Sequence, residues 1–170
     1  ITVLAVNGAD VFVGGITYGE FPGQTDLTFF TPDAFLARFD TDGNPISTVQ
    51  MPRLSPEGFG TPYPAFIDAS GVYGTDLVAS PASDADVQVF KYDLGGNLLW
   101  ATVFGSPGDD RVSTAWPRSL SVDSGGVSVT GYTSGAFPGQ TLAGFADALL
   151  ARLDVAGNLL WVRQQGTANA

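Results

Sequence analysis

The chain has no cysteine, no histidine, one methionine and a single lysine, Lys91, and charged residues make up only 14% of its 170 positions. Without cysteine there is neither a disulfide framework nor a thiol nucleophile. Without histidine there is no imidazole base, and the usual zinc ligand sets are excluded. The few charges are lopsided, seventeen acidic against seven basic, for a net charge of −10. Such a surface repels phosphate backbones, so nucleic acid is not expected as a partner; the excess serves solubility or an acidic recognition surface. No apolar run approaches the roughly 18–20 residues of a helical membrane span. The first residue is Ile1 and no signal peptide is visible, which reads as a processed chain or an excerpt from a longer one.

Turn formers and apolar residues are abundant instead: 22 Gly, 11 Pro and 44% hydrophobic residues. That composition is too apolar for disorder. Its organisation is a threefold repeat. An apolar run ending in Asp meets a Gly-Asn turn at Asp40-Thr41-Asp42-Gly43-Asn44, at Asp93-Leu94-Gly95-Gly96-Asn97 and at Asp154-Val155-Ala156-Gly157-Asn158. The turn glycines are separated by 53 and 61 residues. Periods of about 40–50 residues built from short strands point to a propeller or another β-repeat array.

The third unit is the clearest. Runs 118–123 and 127–133 alternate apolar with small polar residues around Ser124-Gly125-Gly126, the pattern of a hairpin. A breaker-rich loop, 134–141, leads to the run 148–154, and the Gly157-Asn158 turn returns it as 159–164. The first unit repeats this order with runs 2–6, 11–17, 34–40 and 46–50. Phe-Pro-Gly-Gln-Thr recurs letter for letter at 21–25 and 137–141, an offset of 116, while the Asp-Ala pairs at 33–34 and 147–148 are offset by 114. The first unit therefore carries two extra residues between loop and third strand. The middle unit keeps its strands (65–68, 72–75, 87–93, 98–104) but has no Pro-Gly-Gln loop. A short buried helix over 87–92 or 148–153 is the competing reading. Length and the immediate Gly-Asn turn favour strands.

Val122-Asp123-Ser124-Gly125-Gly126-Val127-Ser128-Val129-Thr130-Gly131-Tyr132-Thr133 resembles the bacterial SBBP repeats, a family named for seven-bladed β-propellers. So do Phe137-Pro138-Gly139-Gln140-Thr141, the Asp147 to Asp154 run and Gly157-Asn158-Leu159-Leu160-Trp161. The resemblance implies large extracellular or surface-associated bacterial proteins, with no shared catalytic residues. The expected fold is all-β, about three consecutive four-stranded antiparallel blades over 1–58, 59–108 and 109–170, part of a larger ring or array. Closed propellers typically take 4–8 blades. The missing ones would come from the same polypeptide or from other subunits, as partners covering the end blades.

Candidate sites follow from position. Second-to-third-strand loops and blade connections share one rim, which carries Phe21, Gln24, Phe137, Gln140 and the segment Ser106-Pro107-Gly108-Asp109-Asp110-Arg111. The two Phe are expected to anchor their loops and the two Gln to bond loop backbone; a recognition surface would sit on the same loops. A glycan-binding reading adds Tyr18, Tyr132 and Trp116 beside Asp109 and Asp110. Asp109-Asp110 is also the only adjacent acidic pair, but neighbours on a strand point apart, and paired-carboxylate hydrolysis is not expected. Asp40, Asp42 and Asn44 offer oxygens at alternate positions, a calcium pattern set against simple turn capping. No other cofactor is expected. Trp100 and Trp161 should pack between blades, and Arg38, Lys91 and Arg152 should form ion pairs with the Asp two residues further on. The functional expectation is a non-catalytic interaction scaffold or structural module of a secreted or surface protein.

Overall fold

A computed structural model describes residues 1–24, 32–51, 54, 60–79, 84–112 and 119–168. Among these there are thirteen strands and no helix. The loop tail from Thr25, the two-residue insertion, residues 80–83, Trp116 and Arg118 lie outside the described residues.

The strands form three antiparallel sheets, each built on a four-stranded meander in chain order, and none closes on itself. Sheet 1 comprises β1 (Val3–Asn7), β2 (Asp10–Thr17), β3 (Asp33–Asp40) and β4 (Pro45–Met51). Sheet 2 comprises β5 (Tyr63–Asp68), β6 (Gly71–Ala79), β7 (Ala85–Tyr92) and β8 (Leu98–Phe104). Sheet 3 comprises β9 (Asp110–Val112), β10 (Leu120–Asp123), β11 (Gly126–Thr133), β12 (Asp147–Leu153) and β13 (Leu159–Gln165).

One strand departs from the expectation. Asp110 and Arg111 belong to β9, not to a rim loop. β9 pairs with the far half of β11 (Tyr132 opposite Arg111) while β10 pairs with the near half (Val127 opposite Val122). Two pieces thus share one edge position. Three residues following Ser-Pro-Gly-Asp are too few to show a period, so the strand is invisible to pattern reading.

The side-chain alternation of each strand decides how the sheets pack. Val3, Ala5, Phe12, Ala34, Leu36 and Met51 of sheet 1 meet Ile67, Val72, Phe90 and Tyr92 of sheet 2 in one core. The opposite face of sheet 2, with Tyr73, Leu77, Val87, Val89 and Phe104, meets Leu120, Val127, Val129, Leu149, Ala151 and Leu153 of sheet 3 in a second core. β7 shows the consequence plainly: Val87 and Val89 go one way, Phe90 and Tyr92 the other. Sheet 2 is therefore covered on both sides, and each fully covered Val or Leu contributes about 1.5–3 kcal/mol.

The stacking has a direction. The turn between the third and fourth strands of one sheet leans on the fourth strand of the sheet before it. A β-carbon on Gly157 would touch the Trp100 ring, and one on Gly96 would touch Val49, whereas one on Gly43 would meet nothing within 4 Å. Thr102 Oγ1 also donates to Gly157 O at 2.6 Å across the same seam. Trp100 is accordingly packed against the core between sheets 2 and 3, edge-on to Tyr73 at 6.2 Å. Among the described residues no sheet lies beyond Trp161, its counterpart, which stays 38% exposed.

Candidate functional site

The repeated turns are built identically. Asp40 Oδ1 accepts from the backbone N–H groups of Asp42 (3.0 Å) and Asn44 (2.8 Å), and its Oδ2 accepts from Asn44 Nδ2 at 2.8 Å. Asp93 and Asp154 do the same with Gly95 and Asn97 and with Ala156 and Asn158. Both oxygens of Asp40 are thus committed to the turn, whether or not a second carboxylate such as Asp42 follows. The Asn side-chain amide, then the Asn backbone N–H, holds each of the three Asp carboxyls below the usual value of 3.8.

The expected ion pairs take other partners. Arg38 reaches Asp10 at 2.7 Å and Arg152 reaches Asp123 at 2.5 Å, both across the neighbouring hairpin. Lys91 donates to Ser70 Oγ at 3.1 Å and lies 4.7 Å over the Tyr73 ring. The Asp two residues on is already occupied by its Asn, which leaves the cation to the neighbouring hairpin.

The Phe-Pro-Gly-Gln loops act as clamps on the outer edge. Phe137 is buried, its N–H donates to Gln164 Oε1 at 2.8 Å, and Gln140 brackets β13 by accepting from Gln164 N (2.8 Å) and donating to Val162 O (3.1 Å). Phe21 lies 5.2 Å from the Phe35 ring, and Gln24 accepts from Gln50 N at 3.3 Å in the same way. Gln164 and Gln50 are the residues that pattern reading missed. They share the 114-residue offset of the two Asp-Ala pairs, and that offset was the available signal.

These glutamines lead to an acidic belt at the loop end of the third strands. Asp33, Asp86 and Asp147 occupy equivalent places, each opposite the second strand's end. Gln50 Nε2 donates to Asp33 Oδ2 at 2.8 Å and Gln164 Nε2 to Asp147 Oδ2 at 3.0 Å. In the middle sheet the corresponding position is Val103, and Asp86 receives no such amide. Asp86 Oδ1, Asp84 Oδ1 and Asp110 Oδ1 are buried without a hydrogen-bond partner. Burial first, then the charges of Asp110 and Asp84, push the Asp86 carboxyl above its usual value. Burial together with Asp76 and Asp33 likewise pushes the Tyr92 hydroxyl up to about 12.

Of the rim candidates, Asp109 pairs with Arg111 at 3.2 Å and accepts from Ala85 N at 3.1 Å. Asp110 is fully buried and accepts from Ser106 N. The two neighbours therefore face different surroundings, one at the surface and one between sheets. Tyr18 and Tyr132 are exposed.

A scan against protein-family models finds no match to this chain, and a search of curated proteins finds no similar sequence.

Proposed function

We propose that the chain is a run of three blades of a β-propeller and serves as a non-catalytic interaction scaffold or structural module of a secreted or surface protein. One observation carries the reading. The face of sheet 1 turned away from sheet 2 bears Leu4, Val6, Val11, Val13, Phe35 and Phe39, all at least partly exposed. Their counterparts in sheet 3 are Leu120, Val122, Val127, Val129, Leu149 and Leu153, the set that packs on sheet 2. A repeat that presents its packing face to water calls for another sheet there, from the same polypeptide or another subunit. Surface location is supported by the repeat resemblance together with the single lysine and the absence of cysteine. Asp109 and Asp110 share no common space, which supports the non-catalytic reading.

Sedimentation across a hundredfold range of concentration, with a dye that reports exposed apolar surface, tests this. Self-association or strong dye binding is expected, and Val13→Lys should reduce both. A monomer that binds no dye would overturn the reading.

A second reading is a carbohydrate or surface-polymer binder. It is favoured by a groove of about 510 Å³ along the outer seam of sheets 2 and 3, where Trp161, Pro138 and Gln140 line one wall. Its test is glycan binding that Trp161→Ala abolishes.

A further inference from the structure

The acidic belt is partnered differently in the middle of the molecule than at its ends. In sheets 1 and 3 the third-strand Asp is served by a glutamine amide. In sheet 2 that amide is replaced by Val103, and a second carboxylate arrives from the next sheet: Asp110 of β9. Gly105 lies between the two. A β-carbon there would collide with Asp86 Oδ1 and sit 3.0 Å from Asp110 Oδ2, so only glycine lets the two carboxylates approach each other here. Asp110 is 0% exposed, one of its oxygens takes the Ser106 N–H, and the other has no donor. Asp86 Oδ1 is buried and equally without a donor.

Among the described residues no basic side chain forms an ion pair with either group. Among the described residues Arg111 is engaged by Asp109, Arg38 by Asp10 and Arg152 by Asp123. Unpartnered carboxylate oxygens held out of water are costly, and a positive charge between them removes the cost.

We infer that Asp86 and Asp110 form a divalent-cation site, with calcium as its ion, that ties sheet 2 to sheet 3 beneath Gly105. Oxygen ligands and no nitrogen or sulfur suit a hard cation. Among the described residues no three acidic side chains close on one point. The site accordingly supplies two carboxylates, and main-chain carbonyls and water complete the shell. The turn at Asp40 is a poorer site, because its oxygens already accept three hydrogen bonds.

Calcium titrated calorimetrically into chelator-treated protein at pH 7, with thermal unfolding followed in parallel, tests the inference. One ion per chain is expected. At a hundredfold excess over Kd, Tm should rise by about 5–10 °C. Asp86→Asn and Asp110→Asn should each lose at least tenfold in affinity, whereas Asp40→Asn should keep it. Absence of binding heat together with a Tm indifferent to calcium and chelator would overturn the proposal. Binding lost in Asp40→Asn but kept in both other variants would overturn it too. Should Asp110→Asn not fold, Asp86→Asn and the wild-type stoichiometry decide alone.

Discussion

Replacing Gln164 by leucine removes the joint between clamp loop, outer strand and acidic belt while keeping nearly the same volume. The wild-type side chain accepts from Phe137 N at 2.8 Å and donates to Asp147 Oδ2 at 3.0 Å and to Gly135 O at 3.3 Å. After the change, the Phe137 N–H loses its acceptor beside a buried ring. Asp147, 2% exposed, keeps only the Ala143 N–H, 3.2 Å from both oxygens. Each buried group left short of a partner costs about 1–3 kcal/mol, more when charged, so a total of about 3 kcal/mol is expected. In urea unfolding with a slope of about 2 kcal/mol/M, the midpoint should fall by about 1.5 M with the slope unchanged. Gln164→Glu sharpens the test. It sets a second carboxylate against Asp147, so it should be worse than leucine at pH 7 and recover part of the loss at pH 4, where one of the pair takes a proton. A loss below about 0.5 kcal/mol for leucine, the range of neutral surface changes, would refute the clamp argument.

Two further outcomes are expected. Asn158→Ala should raise the Asp154 titration midpoint toward 3.8 while leaving Asp93 unchanged, as followed by carboxyl NMR. Because the folded value is depressed, the stability that Asp154 lends is complete above its unfolded pKa and fades as pH drops through the folded one; removing the amide should flatten that acid limb. Alanine at Gly43 should cost about 1–2 kcal/mol for its left-handed backbone alone (φ 84°). At Gly157 the φ is similar, 86°, but the new carbon would come within 2.5–2.9 Å of three Trp100 ring atoms, so a clearly larger loss in thermal unfolding is expected.

Much of the architecture was legible because the repeat states each local rule three times. Alternation in 127–133 and the Asp-to-Asn turns mark strands and reversals in the sequence itself. Whether a strand faces one partner or two was not legible: Val13 and Val129 hold the same place in the repeat, and only the stacking order separates them. β9 escaped because three residues carry no period. The acidic belt escaped for another reason. Asp33, Asp86 and Asp147 read as strand starts, and their differing environments depend on Gln50, Val103 and Gln164, which lie a whole strand away. Asp109 and Asp110 drew notice as adjacent acids, yet the consequential neighbour of Asp110 is Asp86, across a sheet boundary.

The most direct test sets Val13→Asp against Val129→Asp in parallel chemical unfolding. The directional stack predicts a loss of about 4 kcal/mol or outright unfolding for Val129, whose side chain is 1% exposed between sheets, because it buries an unpaired charge. For Val13, on the open face, it predicts a change within about 1 kcal/mol together with weaker self-association. Equal losses at the two positions would contradict the stacking order and everything inferred from the uncovered face.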